Sequence, residues 1–186
     1  MAGMLTIPRS RGALTGTLLV LLGAWGGLIP FVGPYFGYAY TPDTTWTYTT
    51  GRLWLEILPG AAAVVGGLIL LIAAVRPVAL AGATLSALAG AWFALGTILS
   101  QLWASAGTGS AGMAVGGTAA RVLEQIGFFT GLGVAIAFLA GAAIGRLMVV
   151  TVRDSRHAER RAERRAALAG TAAGAEPTAP APRQPA

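Results

Sequence analysis

The sequence predicts an all-α membrane protein: four transmembrane helices, read as two duplicated helical hairpins, with a short extended aromatic outer loop. Three observations lead there. Hydrophobic residues make up 55% of the 186 positions, charged residues only 11%, and mean hydropathy is +0.67, a balance typical of membrane chains. The apolar residues fall in four blocks, each able to cross about 30 Å of hydrocarbon at about 1.5 Å per residue. Arginines gather at one side of those blocks and leave the other side nearly bare.

In chain order, residues 1–12 form a cytoplasmic N-terminus carrying Arg9 and Arg11, and residues 13–152 form the transmembrane domain. Its first span covers 13–35. A basic start before an apolar stretch also opens a secretory signal, but this block is longer than a usual signal core. It ends in Pro34, Tyr35 and Phe36 with no small-x-small cleavage site, and is read as an uncleaved span. The second, third and fourth spans cover 53–75, 78–103 and 126–150. Only Arg76 and Pro77 separate the second from the third, so those helices are expected to be antiparallel neighbours joined by a tight turn. Pro30, Pro34 and Pro59 should bend or shorten their helices locally. Residues 153–169 read as a basic cytoplasmic helix in which Arg156 with Glu159, and Arg160 with Glu163, have i, i+3 spacing on a solvated face. The Ala/Pro-rich tail 170–186 cannot bury a core and is expected to be disordered.

Orientation follows from the arginines. Arg9, Arg11, Arg76, Arg146, Arg153 and the cluster Arg156, Arg160, Arg161, Arg164 and Arg165 fall on one side, which the positive-inside rule assigns to the cytoplasm. Arg52 and Arg121 fall on the other side, each accompanied by an acid. Both termini are then cytoplasmic. With no lysine and abundant Ala, Gly and Arg, the source reads as a GC-rich bacterium and the location as its plasma membrane.

An internal repeat is expected from recurring residues. Gly23-Ala24-Trp25 in the first span returns as Gly90-Ala91-Trp92 in the third, and Arg52 with Glu56 as Arg121 with Glu124. The spacing from Trp25 to Arg52 is 27 positions and from Trp92 to Arg121 is 29; Arg52 to Arg76 is 24 and Arg121 to Arg146 is 25. Two hairpins with the same topology would be related by a pseudo-two-fold axis along the membrane normal. Small residues at four-residue spacing suit close helix packing: Gly12 with Gly16, Gly23 with Gly27, Ala62 with Gly66, Ala63 with Gly67, Gly82 with Ser86 and Gly90, and Ala137 with Gly141 and Gly145. Packing within the bundle is favoured over a dimer seam.

Two regions carry the candidate chemistry. The outer loop from Phe36 to Gly51 interleaves aromatics with threonines, and Thr44–Thr50 has the composition of a short strand. Tyr38, Tyr40, Asp43, Trp46 and Tyr48 are the candidate partner contacts, set against an aromatic belt at headgroup depth, which uses the same residue types. Arg52, Glu56, Arg121 and Glu124 form a candidate outer polar cluster. Arginine in the first turn opposes the helix dipole, so tertiary pairing, Arg52 with Glu124 and Arg121 with Glu56, is the expected reason for keeping it. Contact of this cluster with a ligand or ion is the sharper alternative. The second outer loop, Ser105 to Ala120, is Gly, Ala, Ser and Thr and carries no nameable chemistry.

Catalysis is not expected. There is no cysteine, which removes thiolate chemistry and excludes four-helix quinone-linked disulfide oxidases. The single histidine, His157, lies among tail arginines, so no histidine-based metal site or triad can form in the membrane. No cofactor or metal is implied. Small multidrug carriers also have four helices but are built around a glutamate in the first one, which this chain lacks. The basic tail is explained by topology and lipid contact rather than nucleic acid.

The lysine-free composition, the aromatic loop and the Pro-Ala tail resemble uncharacterised four-span membrane proteins of high-GC actinobacteria, a resemblance that transfers no functional residue. Two functions fit. One is a non-enzymatic envelope protein that binds a protein or lipid partner, or a second copy of itself, through the aromatic loop or the basic tail. The other is a small oligomeric transporter or channel component with the Arg/Glu cluster at its mouth.

Overall fold

The computed structural model describes residues 10–102 and 112–149, together with Glu159, Arg160, Glu163, Arg164, Ala166 and Ala167. The chain separates into two units, Leu5–Val149 and a second made of Met1–Met4 with Val150–Ala186. In the second unit the six described residues are helical and exposed. Residues 1–9 and the tail 170–186 lie outside the described residues, as does most of the expected basic helix.

The first unit contains four helices long and apolar enough to cross a membrane: Gly12–Phe36, Thr50–Ile72, Arg76–Leu102 and Thr118–Met148. The first span is α1, Ser10–Val32, closed by a 3-10 turn at Gly33–Phe36. Gly37, at φ 71, ends it in the left-handed region that suits glycine.

The second span starts as α2, Thr50–Arg52, widens into a π turn at Leu53–Ile57 and continues as α3, Leu58–Ile72. Thr49 caps its start, its side chain accepting from the Arg52 N–H. The π turn has a local cause. Pro59 has no N–H to donate to the Leu55 carbonyl and its ring crowds that carbonyl, so the regular ladder is interrupted just before it. The Leu58 N–H reaches back to Leu53 O instead. This is the local distortion expected of Pro59, and it carries Glu56 within it.

The third span is α4, Arg76–Leu99, followed by a 3-10 turn at Ser100–Leu102. Arg76 and Pro77 are its first residues rather than the connection itself, a position where the missing N–H of proline costs nothing. The extended residues between Ile72 and Arg76 make the tight turn.

The fourth span begins earlier than its apolar block. α5, Thr118–Phe128, already holds Arg121, Glu124 and Gln125; the backbone breaks at Phe129, with φ −128 and ψ −82, and α6 runs Thr130–Met148. A window that seeks uninterrupted apolar residues misses this polar first half.

The packing order is first span on second, second on third and third on fourth, with a lighter contact between first and fourth. Small residues set the approach. A Cβ added to Gly60 would stand 2.8 Å from Gly27 N and 2.9 Å from Gly23 O, and one added to Gly133 would meet Ala94 N at 2.5 Å and Gly90 O at 2.6 Å. Conversely, a Cβ on Gly23 would meet Gly60 O and Val64 N, and one on Gly90 would meet Gly133 O and Ala137 N. The same contact set therefore holds each hairpin. The pairing shifts by 67 positions from Gly23 to Gly90 and by 73 from Gly60 to Gly133. Between the hairpins, Gly66 meets Gly82 and Ser86, whose Oγ donates to Ala63 O at 3.4 Å.

Two indoles tie the hairpins reciprocally. Trp25 Nε1 donates to Gly127 O at 3.2 Å, from the first hairpin to the second, and Trp92 Nε1 donates to Trp54 O at 2.8 Å, from the second to the first. At the opposite end of the bundle, Arg146 bonds the Thr15 hydroxyl, joining fourth span to first.

No strand forms among the described residues. Of the expected strand Thr44–Thr50, residues 44–49 are turn and irregular chain and Thr50 opens α2, and Trp46 sits at φ 57, outside the extended region altogether. Extended pairing lies one segment earlier. Tyr40 bridges Ala114 in antiparallel fashion, through Thr41 N to Met113 O and Val115 N to Ala39 O, both 3.0 Å. The second loop thus gains a role that its bland composition concealed: it pins the aromatic loop over the helix ends.

Candidate functional site

The loop end of the bundle holds both acids of the four spans, Glu56 and Glu124, together with Arg52, Arg121 and Gln125. Arg52, at the start of the second span, is only 2% exposed. Its Nη1 donates to Thr47 O at 2.7 Å, and its Nη2 to Pro42 O at 2.8 Å and Tyr40 O at 3.3 Å. The guanidinium thus clamps the loop from beneath, and three carbonyl dipoles offset its charge where the helix dipole does not.

Glu56, one helical turn further along, and Glu124, in the fourth span, are both fully buried. None of their four carboxyl oxygens has a hydrogen-bond partner. The cross-pairing expected for these residues is not how their hydrogen bonds run: Arg52 is committed to the loop carbonyls, and Arg121 is exposed with its Nε donating to Gly116 O at 2.9 Å. The carbonyls of Tyr40, Pro42 and Thr47 take the Arg52 donors, and the Gly116 carbonyl takes that of Arg121.

Tyr38 and Tyr40 are the residues that fold down. Tyr40 is 4% exposed, and its hydroxyl donates to Gln125 Oε1 at 2.6 Å. Its ring lies 5.0 Å from Phe128 and edge-on to Phe129 at 5.2 Å. Tyr38 stacks on Phe128 at 5.2 Å and donates to Leu123 O at 2.8 Å. Burial first, and then the nearby carboxylates Glu124 and Glu56 with Tyr38, push the Tyr40 hydroxyl from 10.0 up to about 12. The Tyr38 hydroxyl is raised by burial and by Glu124. Both acids therefore act on the Tyr40 hydroxyl, although they belong to different hairpins.

The remaining loop candidates face outward. Asp43, Trp46 and Tyr48 are exposed. Trp46 stacks on Phe31 at 5.8 Å and donates from Nε1 to the Tyr35 hydroxyl at 3.2 Å, so its left-handed backbone is braced by side-chain contacts. With Tyr35, Phe36 and Trp54 it forms an exposed aromatic rim. Of the five loop residues singled out in the sequence, Tyr40 is an internal plug, Tyr38 is half-buried against Phe128, and three are exposed.

Gln125, Phe128 and Phe129 complete the site and escaped the sequence reading. A signal existed: Glu124 and Phe128 are four residues apart and share one face of a helix, so a buried Phe128 carries Glu124 inward with it. Among the described residues no group of three or more His, Cys, Asp or Glu gathers.

Fold and site together define the class, an α-helical multi-pass membrane protein with a polar core at one end of its bundle. Comparison with protein-family models, with curated proteins and with solved structures returned no match to this chain.

Proposed function

We propose that this chain is a non-enzymatic protein of the bacterial cell envelope that meets a protein or lipid partner through the rim of its loop end. Trp46 carries the reading. It is 65% exposed, yet it is held at φ 57 by a stack on Phe31 and a hydrogen bond to Tyr35. A bulky residue in the left-handed region costs on the order of 1–3 kcal/mol, and a passive belt aromatic needs no such placement. An exposed, pre-positioned indole beside Tyr48 suits recognition, where rigid aromatics give contact area at little entropic cost. The distribution of arginines supports cytoplasmic termini and an outward rim, with Arg160 and Arg164 of the C-terminal segment exposed and suited to anionic headgroups.

The test is site-specific photocrosslinking in cells. A crosslinking residue at Trp46 or Tyr48 should give a discrete heavier species, and one at Leu88, exposed on the third span, should give only lipid adducts. Identical behaviour at all three positions would remove the partner reading.

A second reading, a small oligomeric transporter or channel component, is favoured by one observation: Glu56 and Glu124 are fully buried acids within the spans, and intramembrane ionisable groups mark ion or substrate paths by default. Flux in liposomes that is lost in E56Q or E124Q would favour it.

A further inference from the structure

The first half of the fourth span, α5, is held lightly and lies between two joints. Among the helices it meets chiefly α6, which follows it in the chain. At its start stand Gly116, at φ 115, and Gly117, whose added Cβ would meet nothing within 4 Å. At its end is the break at Phe129, where a Cβ on Gly131 would stand 2.7 Å from Ile126 O, so that glycine is what lets the chain turn so closely. Hinged elements move in this way, with a few terminal residues absorbing the change in backbone angles.

Side chains from the first hairpin and its loop hold α5 inward. Tyr38 donates to Leu123 O at 2.8 Å, Tyr40 to Gln125 Oε1 at 2.6 Å, and Trp25 Nε1 to Gly127 O at 3.2 Å. Both tyrosine rings also pack on Phe128, at 5.2 and 5.0 Å. Glu124 opposes them. It is fully buried and neither of its carboxyl oxygens has a hydrogen-bond partner. A buried polar group without a donor carries a desolvation cost that contact with water removes. The same short helix thus bears bonds that favour its inward position and an acid that favours leaving it, the opposed terms of a two-state element.

We propose that α5 is a hinged gate at the loop end of the bundle. In the closed position Tyr38, Tyr40 and Trp25 hold Glu124 inside. In the open position α5 turns about Phe129 and carries Glu124 to water. The gate rests on neither functional reading, because it concerns how α5 is held and not what approaches it.

The chain contains no cysteine, so each introduced pair reports one distance. Spin labels on V122C with L88C measure α5 against the third span, and labels on F138C with L88C measure two spans outside the gate; all three positions are exposed. Double electron–electron resonance is recorded on the full chain in lipid nanodiscs. Combining Y38F with Y40F should add a second population at the 122–88 pair, displaced by about 5 Å or one helical turn, and leave the 138–88 pair unchanged. Adding E124L to that background should restore the parental distribution, since the acid that favours opening is gone. An unaltered 122–88 distribution, an equal displacement in both pairs, or a second population that persists with E124L overturns the gate. Should Y38F with Y40F lose helicity, W25F, which removes the bond beside the break, takes its place under the same criteria.

Discussion

Arg52 shows how one side chain organises the loop end. Its three donated bonds hold carbonyls contributed by residues 40, 42 and 47, so removing it takes that donor from the Tyr40 and Thr47 carbonyls, while Pro42 O keeps the Thr44 N–H. R52A should cost about 3 kcal/mol, read as a fall of roughly 6–12 °C in Tm. R52K should recover only part of it, because a point charge cannot span the acceptors that a planar fork does. Tyr40 acts from the other side. Its hydroxyl is neutral when protonated and is raised from 10.0 to about 12, so the stability it contributes is complete below pH 10.0 and is lost as pH climbs through about 12. Thermal unfolding followed over that alkaline window should fall more steeply for the unaltered chain than for Y40F. Equal slopes would show that Tyr40 is not buried as described.

At the scale of elements, the hairpins depend on backbones that approach through glycine. G60V or G133V places a branched side chain against the backbone of the facing span, and either should lower stability by about 2–3 kcal/mol by Tm or denaturant titration. G141A is the control. Nothing lies within 4 Å of its Cβ position, and it should stay within about 0.5 kcal/mol of the parent. The reciprocal indole bonds make a subtler prediction: W25F and W92F should each cost about 0.6 kcal/mol, the mean for polar contacts within membranes, and should weaken contact between hairpins rather than within them. Much of this packing was legible. The rows through Gly23, Ala63, Gly66, Gly82 and Gly90 do line helix contacts, whereas Gly141 and Gly145 face outward, since spacing alone does not say which side of a helix meets a neighbour.

For the molecule as a whole, four spans in sequential packing bring the start of the first span and the end of the fourth to the same end of the bundle, where Arg146 bonds Thr15. Reporter fusions at the two termini should therefore report one compartment, expected from the arginine bias to be the cytoplasm. Opposite compartments would contradict the four-span arrangement. The packing match between the hairpins has a different register from the sequence match expected of a repeat. Aligning Arg52 with Arg121 shifts the chain by 69 positions, but Gly60 and Gly133 make matching contacts at a shift of 73. The arginines and acids are thus about one helical turn out of step with the packing, and this is why the second hairpin has Gln125 bonding Tyr40 while the first has Arg52 clamping the loop.

What the sequence determined alone was the class, the number of spans and the small-residue packing, because each rests on hydropathy and local spacing, and hydrocarbon enforces both. Tertiary structure decided which polar groups meet. Tyr38 and Tyr40 turn inward, Arg52 serves carbonyls rather than an acid, and Glu56 and Glu124, one from each hairpin, are both buried. Those outcomes depend on how a loop folds back over helix ends, and its backbone carbonyls, present in every residue, compete for an arginine without leaving any mark in the order of side chains.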